Sequence, residues 1–91
     1  MAYSIEFTPA AERQLTALPT PIRAQIVRRI ETLYDNPRPD GVKKLKDADG
    51  FYYRIRQGDY RILYTVQDKR LTIVIVKVAD RKEVYRRLSR T

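Results

Sequence analysis

Two strand-forming runs separated by a glycine turn constrain the fold of this 91-residue chain more than any other feature. The segment FYYRIRQGDYRILY, residues 51–64, is rich in aromatic and β-branched residues on both sides of Gly58-Asp59. A two-residue loop that begins with glycine is typical of a tight β-hairpin. The pattern therefore predicts antiparallel strands at about 51–57 and 60–67.

The segments on either side of this hairpin are less sharply patterned. The run LTIVIVKV predicts a strand at about 71–79, and its nearly continuous apolar character indicates an interior strand covered on both faces. Residues 37–50 contain KKLKDADG and are expected to form a loop. Asp80, with Glu83 three residues later, forms a possible capping box and predicts a final short helix over about 81–90.

The first third of the chain predicts one strand and two helices. AYSIEF alternates as a strand does. A threonine followed by proline signals a helix start at Thr8 and again at Thr20, and prolines end the two helices at Pro19 and Pro37. We expect a single α+β domain over residues 1–91 with the order βααβββ(α). Its helical hairpin packs on one face of a small, mainly antiparallel four-stranded sheet.

Two absent residue types narrow the possible chemistry. The chain has no cysteine and no histidine, which excludes disulfides, cysteine nucleophiles, histidine acid–base catalysis and the usual zinc sites. We expect no metal and no cofactor. The N-terminus lacks the pattern of a signal peptide and no apolar run is long enough to cross a bilayer, so we expect a cytoplasmic protein with no membrane partner.

The positive charge is concentrated in the second half of the chain. The net charge is +8, yet residues 1–42 contain five basic and five acidic side chains. Residues 43–91 contain fourteen basic and six acidic side chains. Such asymmetry indicates a polyanionic partner, nucleic acid first or an acidic protein, although a merely soluble basic surface would have the same composition.

The hairpin places like charges next to one another. If Gly58-Asp59 is the turn, Arg56 lies directly opposite Arg61. Arg54 lies two positions further from the turn, opposite Leu63. Opposed like charges cost about 0.2–1 kcal/mol, and local folding does not offset that cost. A bound phosphate would offset the cost, because guanidinium groups bind its oxygens in a forked geometry. The alternative is that the long side chains splay into water.

Further basic and aromatic residues are expected near this cluster. Arg81 and Tyr85, four residues apart, share one face of the predicted last helix, although Tyr85 also suits core packing. A lysine cluster precedes the hairpin, where it either tracks a nucleic acid backbone or is simply solvated. The predicted RNA contacts are Lys43, Lys44, Lys46, Tyr52 and Lys82.

The run YYRIRQGDYRILYTV, the apolar strand and the closing DRKEVYRRL resemble RelE-type toxins of bacterial toxin–antitoxin pairs, within the wider RelE/ParE superfamily. The resemblance spans nearly the whole chain. It implies a ribosome-dependent endoribonuclease that inhibits translation by cleaving mRNA in the A site. In that reaction a 2′-hydroxyl attacks the adjacent phosphate and leaves a 2′,3′-cyclic phosphate and a 5′-hydroxyl.

The resemblance also implies catalytic roles. The family's basic pair falls on Arg54 and Arg56, its transition-state arginine on Arg61, its proposed general acid on Arg81 and its tyrosine on Tyr85. The best-known member has lysines at the first two positions, one of them proposed as the general base. Arginine is a poor proton acceptor, since it stays protonated in proteins.

A lysine near several arginines accepts a proton more readily, because another cation is disfavoured there. Lys44 or Lys46 is therefore a candidate base, provided that the loop reaches the phosphate.

The implied partners are a cognate antitoxin, acidic, partly disordered and RelB-like, and the ribosome with its mRNA. Operator DNA is expected only as a partner of the toxin–antitoxin complex. Two other functions remain open for a chain of this pattern. One is a ParE-like toxin that poisons DNA gyrase by protein contact, and the other is a non-catalytic RNA-binding or repressor module that uses the same basic face.

Overall fold

The computed structural model describes residues 3–48 and 50–80, and these form two helices and a five-stranded sheet. The strands are β1 (Ser4–Phe7), β2 (Lys43–Asp47), β3 (Gly50–Gln57), β4 (Tyr60–Gln67) and β5 (Thr72–Asp80). The helices are α1 (Pro9–Thr16) and α2 (Thr20–Glu31). The predicted α+β class is confirmed, and the predicted elements up to β5 appear in the predicted order with one additional strand, β2. The predicted final helix lies outside the described residues.

The sheet has the strand order β1-β5-β4-β3-β2. β1 pairs with β5 in parallel, and the other three pairs are antiparallel. β5 is an interior strand, as its apolar run predicts. Gly58 adopts a φ of 60° in the β3–β4 turn, a left-handed conformation that costs glycine little. The hairpin register follows from this turn and matches the prediction.

One segment predicted as a loop forms a strand. Residues 43–47 form β2, which pairs with β3 so that Leu45 lies opposite Tyr52. The prediction of a loop over residues 37–50, and with it a four-stranded sheet, is wrong. Three of the five residues of β2 are lysines, and none is β-branched or aromatic. The strand forms because β3 offers an unpaired edge, a tertiary effect that overrides weak local propensity.

The two helices start differently although both begin with threonine and proline. Thr8 is the N-cap of α1, and its hydroxyl accepts a hydrogen bond of 3.1 Å from the Ala11 amide. In α2 the helix already includes Thr20, and its N-cap is Pro19, which has no side-chain cap. The expected Thr20 cap is therefore wrong. A 3-10 turn over Thr32–Tyr34 follows α2.

The hydrophobic core lies between the helices and one face of the sheet. Each helix contributes two fully or nearly fully buried side chains, the 3-10 turn contributes Leu33, and the three interior strands contribute the rest. They include Ala11, Leu15, Ile26, Ile30, Ile55, Ile62, Tyr64, Ile73 and Ile75. Because side chains alternate along a strand, the residues between these on β3 and β4 point to the other face.

A β-bulge in β5 adjusts which side chains reach each face. Leu63 pairs with Lys77 and Tyr64 with Ile75, so Val76 is an extra residue on β5. The first helix fixes the bulge, since the Thr8 hydroxyl donates to the Val76 carbonyl at 3.1 Å. The bulge switches the alternation, so that Lys77 points away from the core while Ile75 and Val78 both face the core.

The loop after α2 is tied to the far end of the sheet. Arg38 forms an ion pair of 2.8 Å with Asp68, and its Nε donates to the Tyr53 hydroxyl at 3.0 Å. The Tyr3 hydroxyl donates to the same carboxylate at 2.8 Å. The hydrogen bond from Arg38 to Asp68, and to a smaller extent the one from Tyr3, lower the pKa of Asp68. The contacts hold β1, the loop and the β4–β5 turn together.

Both described helices are too short and too polar to cross a membrane.

Candidate nucleic-acid interface

The sheet face opposite the helices carries most of the predicted site residues in the described part of the chain. Tyr53 and Ile55 on β3 belong to the core, so the residues that alternate with them point the other way. We call this surface the arginine face. Its residues are Lys43, Leu45, Tyr52, Arg54, Arg56, Arg61, Leu63, Lys77 and Ala79.

The strand register places the charged residues of the arginine face on two neighbouring rungs. Arg56 lies directly opposite Arg61, as predicted. On the next rung Arg54 lies between Lys43 and Leu63, and Leu63 in turn lies opposite Lys77. The two rungs together carry five cationic side chains on a rigid sheet, an arrangement that favours an anionic ligand.

Two of the arginines are held largely out of water. Arg54 is 6% exposed and Arg61 is 4% exposed, whereas Arg56 is exposed. Burial, and then the charge of Arg56, lower the pKa of Arg54. Both effects disfavour a cation at this position. An incoming oxyanion would relieve both, and it would meet guanidinium groups already fixed in place by the sheet.

An apolar patch adjoins the charges. Leu63 and Ala79 are buried together on the arginine face, with Leu45 packed against them. Tyr52 is half-buried and lies opposite Leu45. The face thus combines cations with apolar and aromatic surface, the combination on which nucleic acid bases stack while their phosphates bind arginine.

The lysines of β2 do not all reach the arginine face. Lys43 lies on it, opposite Arg54, but alternation turns Lys44 and Lys46 to the other side. The ammonium of Lys44 sits 4.2 Å from the centre of the Phe51 ring, a cation–π contact. Lys44 or Lys46 could act as the base only if its segment reached the phosphate. In β2 both side chains instead point away from the arginine face.

Sequence reasoning missed Lys77. It falls inside a run read as a continuous apolar strand, and simple alternation would have put it in the core. Only the bulge at Val76 turns it to the arginine face, and a bulge has no clear sequence signal here. Three further predicted residues, Arg81, Lys82 and Tyr85, lie outside the described residues, so their roles stay predictions.

Over residues 3–48 and 50–80, no three acidic side chains come together in a way that could hold a metal ion. The positions that could hold a ligand are instead cationic, and they suit an anion.

Comparison with known proteins agrees with the fold. Residues 5–85 match the family described as "ParE toxin of type II toxin-antitoxin system, parDE". Toxin RelG of Mycobacterium tuberculosis is 35% identical over 88 residues, which cover 96% of this chain and 100% of that protein. The mRNA interferase toxin RelE of Escherichia coli K12 is 26% identical over 87 residues, which cover 93% of this chain and 92% of that protein.

A solved structure has the same architecture. The toxin in the archaeal RelE–RelB complex from Pyrococcus horikoshii OT3 superposes with a TM-score of 0.77 and 29% identity, over 89% of this chain and 97% of that one. The family match covers most of the chain, and the relatives named RelE and RelG span nearly all of it. The chain therefore belongs to the RelE-type toxins of the RelE/ParE superfamily, the toxin components of type II toxin–antitoxin systems.

Proposed function

We propose that this toxin is a ribosome-dependent endoribonuclease that cleaves mRNA in the A site and so inhibits translation. The observation that carries the proposal is the register of β3 and β4, which gathers Arg54, Arg56 and Arg61 on one sheet face. A relative named mRNA interferase, the RelE toxin of Escherichia coli, supports the same activity.

The proposed reaction is an internal phosphoryl transfer. The 2′-oxygen of a ribose forms a bond to the adjacent phosphorus, and the bond from phosphorus to the 5′-oxygen breaks. A base takes the proton of the 2′-hydroxyl, and an acid returns a proton to the departing 5′-oxygen. The products are a 2′,3′-cyclic phosphate and a 5′-hydroxyl, and DNA is not a substrate because it lacks the 2′-hydroxyl.

The arginines stabilise the charge that develops on the phosphate oxygens. Arg61 and Arg54 are largely buried on the sheet, so they need little rearrangement to meet the transition state. Arg56 is exposed and is placed to bind the phosphate as it approaches. Arg81 as the acid and Tyr85 as a stacking partner remain part of the proposal.

We propose two other lysines as candidates for the base. Lys43 and Lys77 border the arginine face, on the rung that contains Arg54. Both therefore lie nearer the proposed phosphate position than Lys44 or Lys46. We assign the base to one of these two, and the ribosome supplies the orientation of the attacking hydroxyl.

We also propose a cognate antitoxin as the partner that silences the toxin. The solved relative from Pyrococcus horikoshii is a RelE–RelB complex. A chain of net charge +8 with a cationic sheet face suits an acidic, partly disordered segment that folds on contact. The toxin–antitoxin complex, rather than the toxin alone, then binds operator DNA.

A translation extract tests the nuclease proposal. Wild-type toxin should cut mRNA within codons and leave cyclic phosphate ends, mapped by primer extension and end-group analysis. Arg61→Gln should slow cleavage by about 10²–10³-fold, the usual cost of one preorganised donor. Arg70→Gln, an exposed arginine after β4, is the matched control and should cut at the wild-type rate. Breaks in DNA linked to gyrase, or RNA binding without cleavage, would contradict the proposal.

The base is tested by lysine substitutions on β2 and β5. Lys43→Met and Lys77→Met are compared with Lys44→Met, whose side chain leaves the opposite face of β2. Loss of the base should slow cleavage by about 10²–10⁴-fold while RNA binding changes little. Full activity in both the Lys43 and Lys77 variants, with loss in Lys44→Met, would return the role to the other face of β2.

A further inference from the structure

A second basic surface lies on the helix side of the sheet, away from the arginine face. It is an open depression of about 260 Å³ lined by Gln25, Arg28, Arg29, Thr32 and Gln57. One water molecule occupies about 30 Å³ of liquid, so the space accommodates a phosphate group with its hydration. Every lining side chain carries a hydrogen-bond donor, and none is a carboxylate.

Arg29 is fixed in this depression before any ligand arrives. Its Nε donates to the Arg56 carbonyl at 3.3 Å, and its Nη1 donates to the Thr32 hydroxyl at 3.4 Å. A guanidinium has five N–H donors, so these two contacts leave three for a ligand. Arg29 is half-buried, whereas Arg28 beside it is exposed and adjustable.

The depression and the arginine face meet at the turn end of the β3–β4 hairpin. The Arg56 carbonyl accepts a hydrogen bond from Arg29 of the depression, while its side chain lies on the arginine face. Gln57, the next residue, lines the depression. A strand of RNA bound on the arginine face can therefore continue around the turn, past the exposed Asp59, into a depression whose lining contains no acidic side chain.

We propose that the depression formed by Gln25, Arg28, Arg29, Thr32 and Gln57 is a second phosphate site, which binds a backbone phosphodiester of the same RNA that occupies the arginine face. This inference rests on the proposed function for the RNA. It adds a contact that holds the strand at a distance from the scissile linkage. Forked arginine donors suit a phosphodiester oxygen, and an extended strand supplies a neighbouring phosphate at no extra cost in association entropy.

The test uses 2′-O-methyl RNA, which binds but has no 2′-hydroxyl to attack. Affinity is measured by fluorescence anisotropy for an oligonucleotide of about ten nucleotides and for a dinucleotide, at several salt concentrations. Arg28→Gln and Arg29→Gln are compared with Arg13→Gln, an exposed arginine on α1 outside the depression. All three remove one positive charge from the helical layer.

The two depression variants should bind the long RNA about tenfold more weakly and the dinucleotide as wild type does. Each should also reduce the slope of log affinity against log salt by about 0.7, the value for one lost phosphate contact on a single strand. Arg13→Gln should change neither. Arg28→Gln guards against misfolding, because its side chain is exposed and makes no bond that holds the hairpin.

Three results would overturn the inference. The first is long-RNA affinity in the variants equal to that of Arg13→Gln. The second is an equal loss on the dinucleotide, which would mean that the arginine face itself was disturbed. The third is weaker antitoxin binding with unchanged RNA binding, which would assign the depression to a carboxylate of the antitoxin. Cleavage in the translation extract is a separate readout, so the nuclease proposal can fail while the phosphate site stands.

Discussion

Arg54 and Arg61 are nearly buried, yet they share a sheet face with three other cations. Burial, and then the charge of Arg56, both disfavour the protonated guanidinium of Arg54. Functional sites commonly give up stability for activity. The arginine face should therefore become more stable when one of its charges is removed.

Arg56→Gln tests whether removing one positive charge from the arginine face stabilises the protein. Arg56 is exposed and opposes Arg61 across the hairpin, so its loss removes repulsion without opening a cavity. We expect the free energy of unfolding to rise by about 0.2–1 kcal/mol, measured by urea denaturation at low salt, while mRNA cleavage falls. The gain should shrink as salt screens the charges. A loss of stability larger than in Arg70→Gln would contradict the account.

Tyr64 gives the fold a dependence on alkaline pH. Its hydroxyl is fully buried and donates to the Pro37 carbonyl at 2.7 Å, and burial raises its pKa to about 12. The unfolded phenol has a pKa near 10. The contribution of Tyr64 to the free energy of unfolding is therefore complete below about pH 10 and is lost as the pH rises toward 12.

Tyr64→Phe should lower the free energy of unfolding by about 1–2 kcal/mol at neutral pH, because the Pro37 carbonyl loses its donor. The difference between wild type and this variant should narrow between pH 10 and 12, as followed by thermal unfolding. Tyr34→Phe, at an exposed tyrosine, should show no such difference. A constant gap across that pH range would exclude the proposed role of Tyr64.

At the scale of elements, what the sequence predicts depends on how local the determinant is. The β3–β4 hairpin was predictable in register because Gly58 fixes the turn. β2 was not, because its lysine-rich sequence becomes a strand only when it pairs with β3. The same holds for the site. The shared face of Arg54, Arg56 and Arg61 is predictable from alternation around the turn. The face on which Lys44 lies depends on the pairing of β2 with β3, and that of Lys77 depends on the bulge in β5.

The turn between β4 and β5 contains an unfavourable residue. Leu71 has a φ of 50°, in the left-handed region that non-glycine residues seldom occupy. Comparing Leu71→Gly with Leu71→Ala separates this backbone effect from the loss of the side chain. We expect the glycine variant to be more stable by about 1 kcal/mol in chemical denaturation, the reverse of the order at an ordinary position. A more stable alanine variant would show that the turn relaxes.

For the whole molecule, the dominant property is excess positive charge. The two basic surfaces both suit phosphate, so inorganic phosphate should raise the melting temperature more than chloride does at the same ionic strength. The stabilisation should reach about 1 kcal/mol when phosphate is about four times its Kd. Arg56→Gln and Arg28→Gln should each weaken the effect, and Arg13→Gln should not. Equal effects of phosphate and chloride would mean that neither surface binds the anion.

The bulge at Val76 has a consequence for changes in chain length. With Val76 present, Ile75 and Val78 both face the core, three positions apart, and Lys77 faces outward. A chain without Val76 would reach the same facing with an unbroken pleat, so we expect that deletion to be tolerated better than a deletion elsewhere in β5. Shortened versions of this strand should keep the lysine in reach of RNA. The interior strand can thus lose a residue at this point without its inner and outer sides trading places.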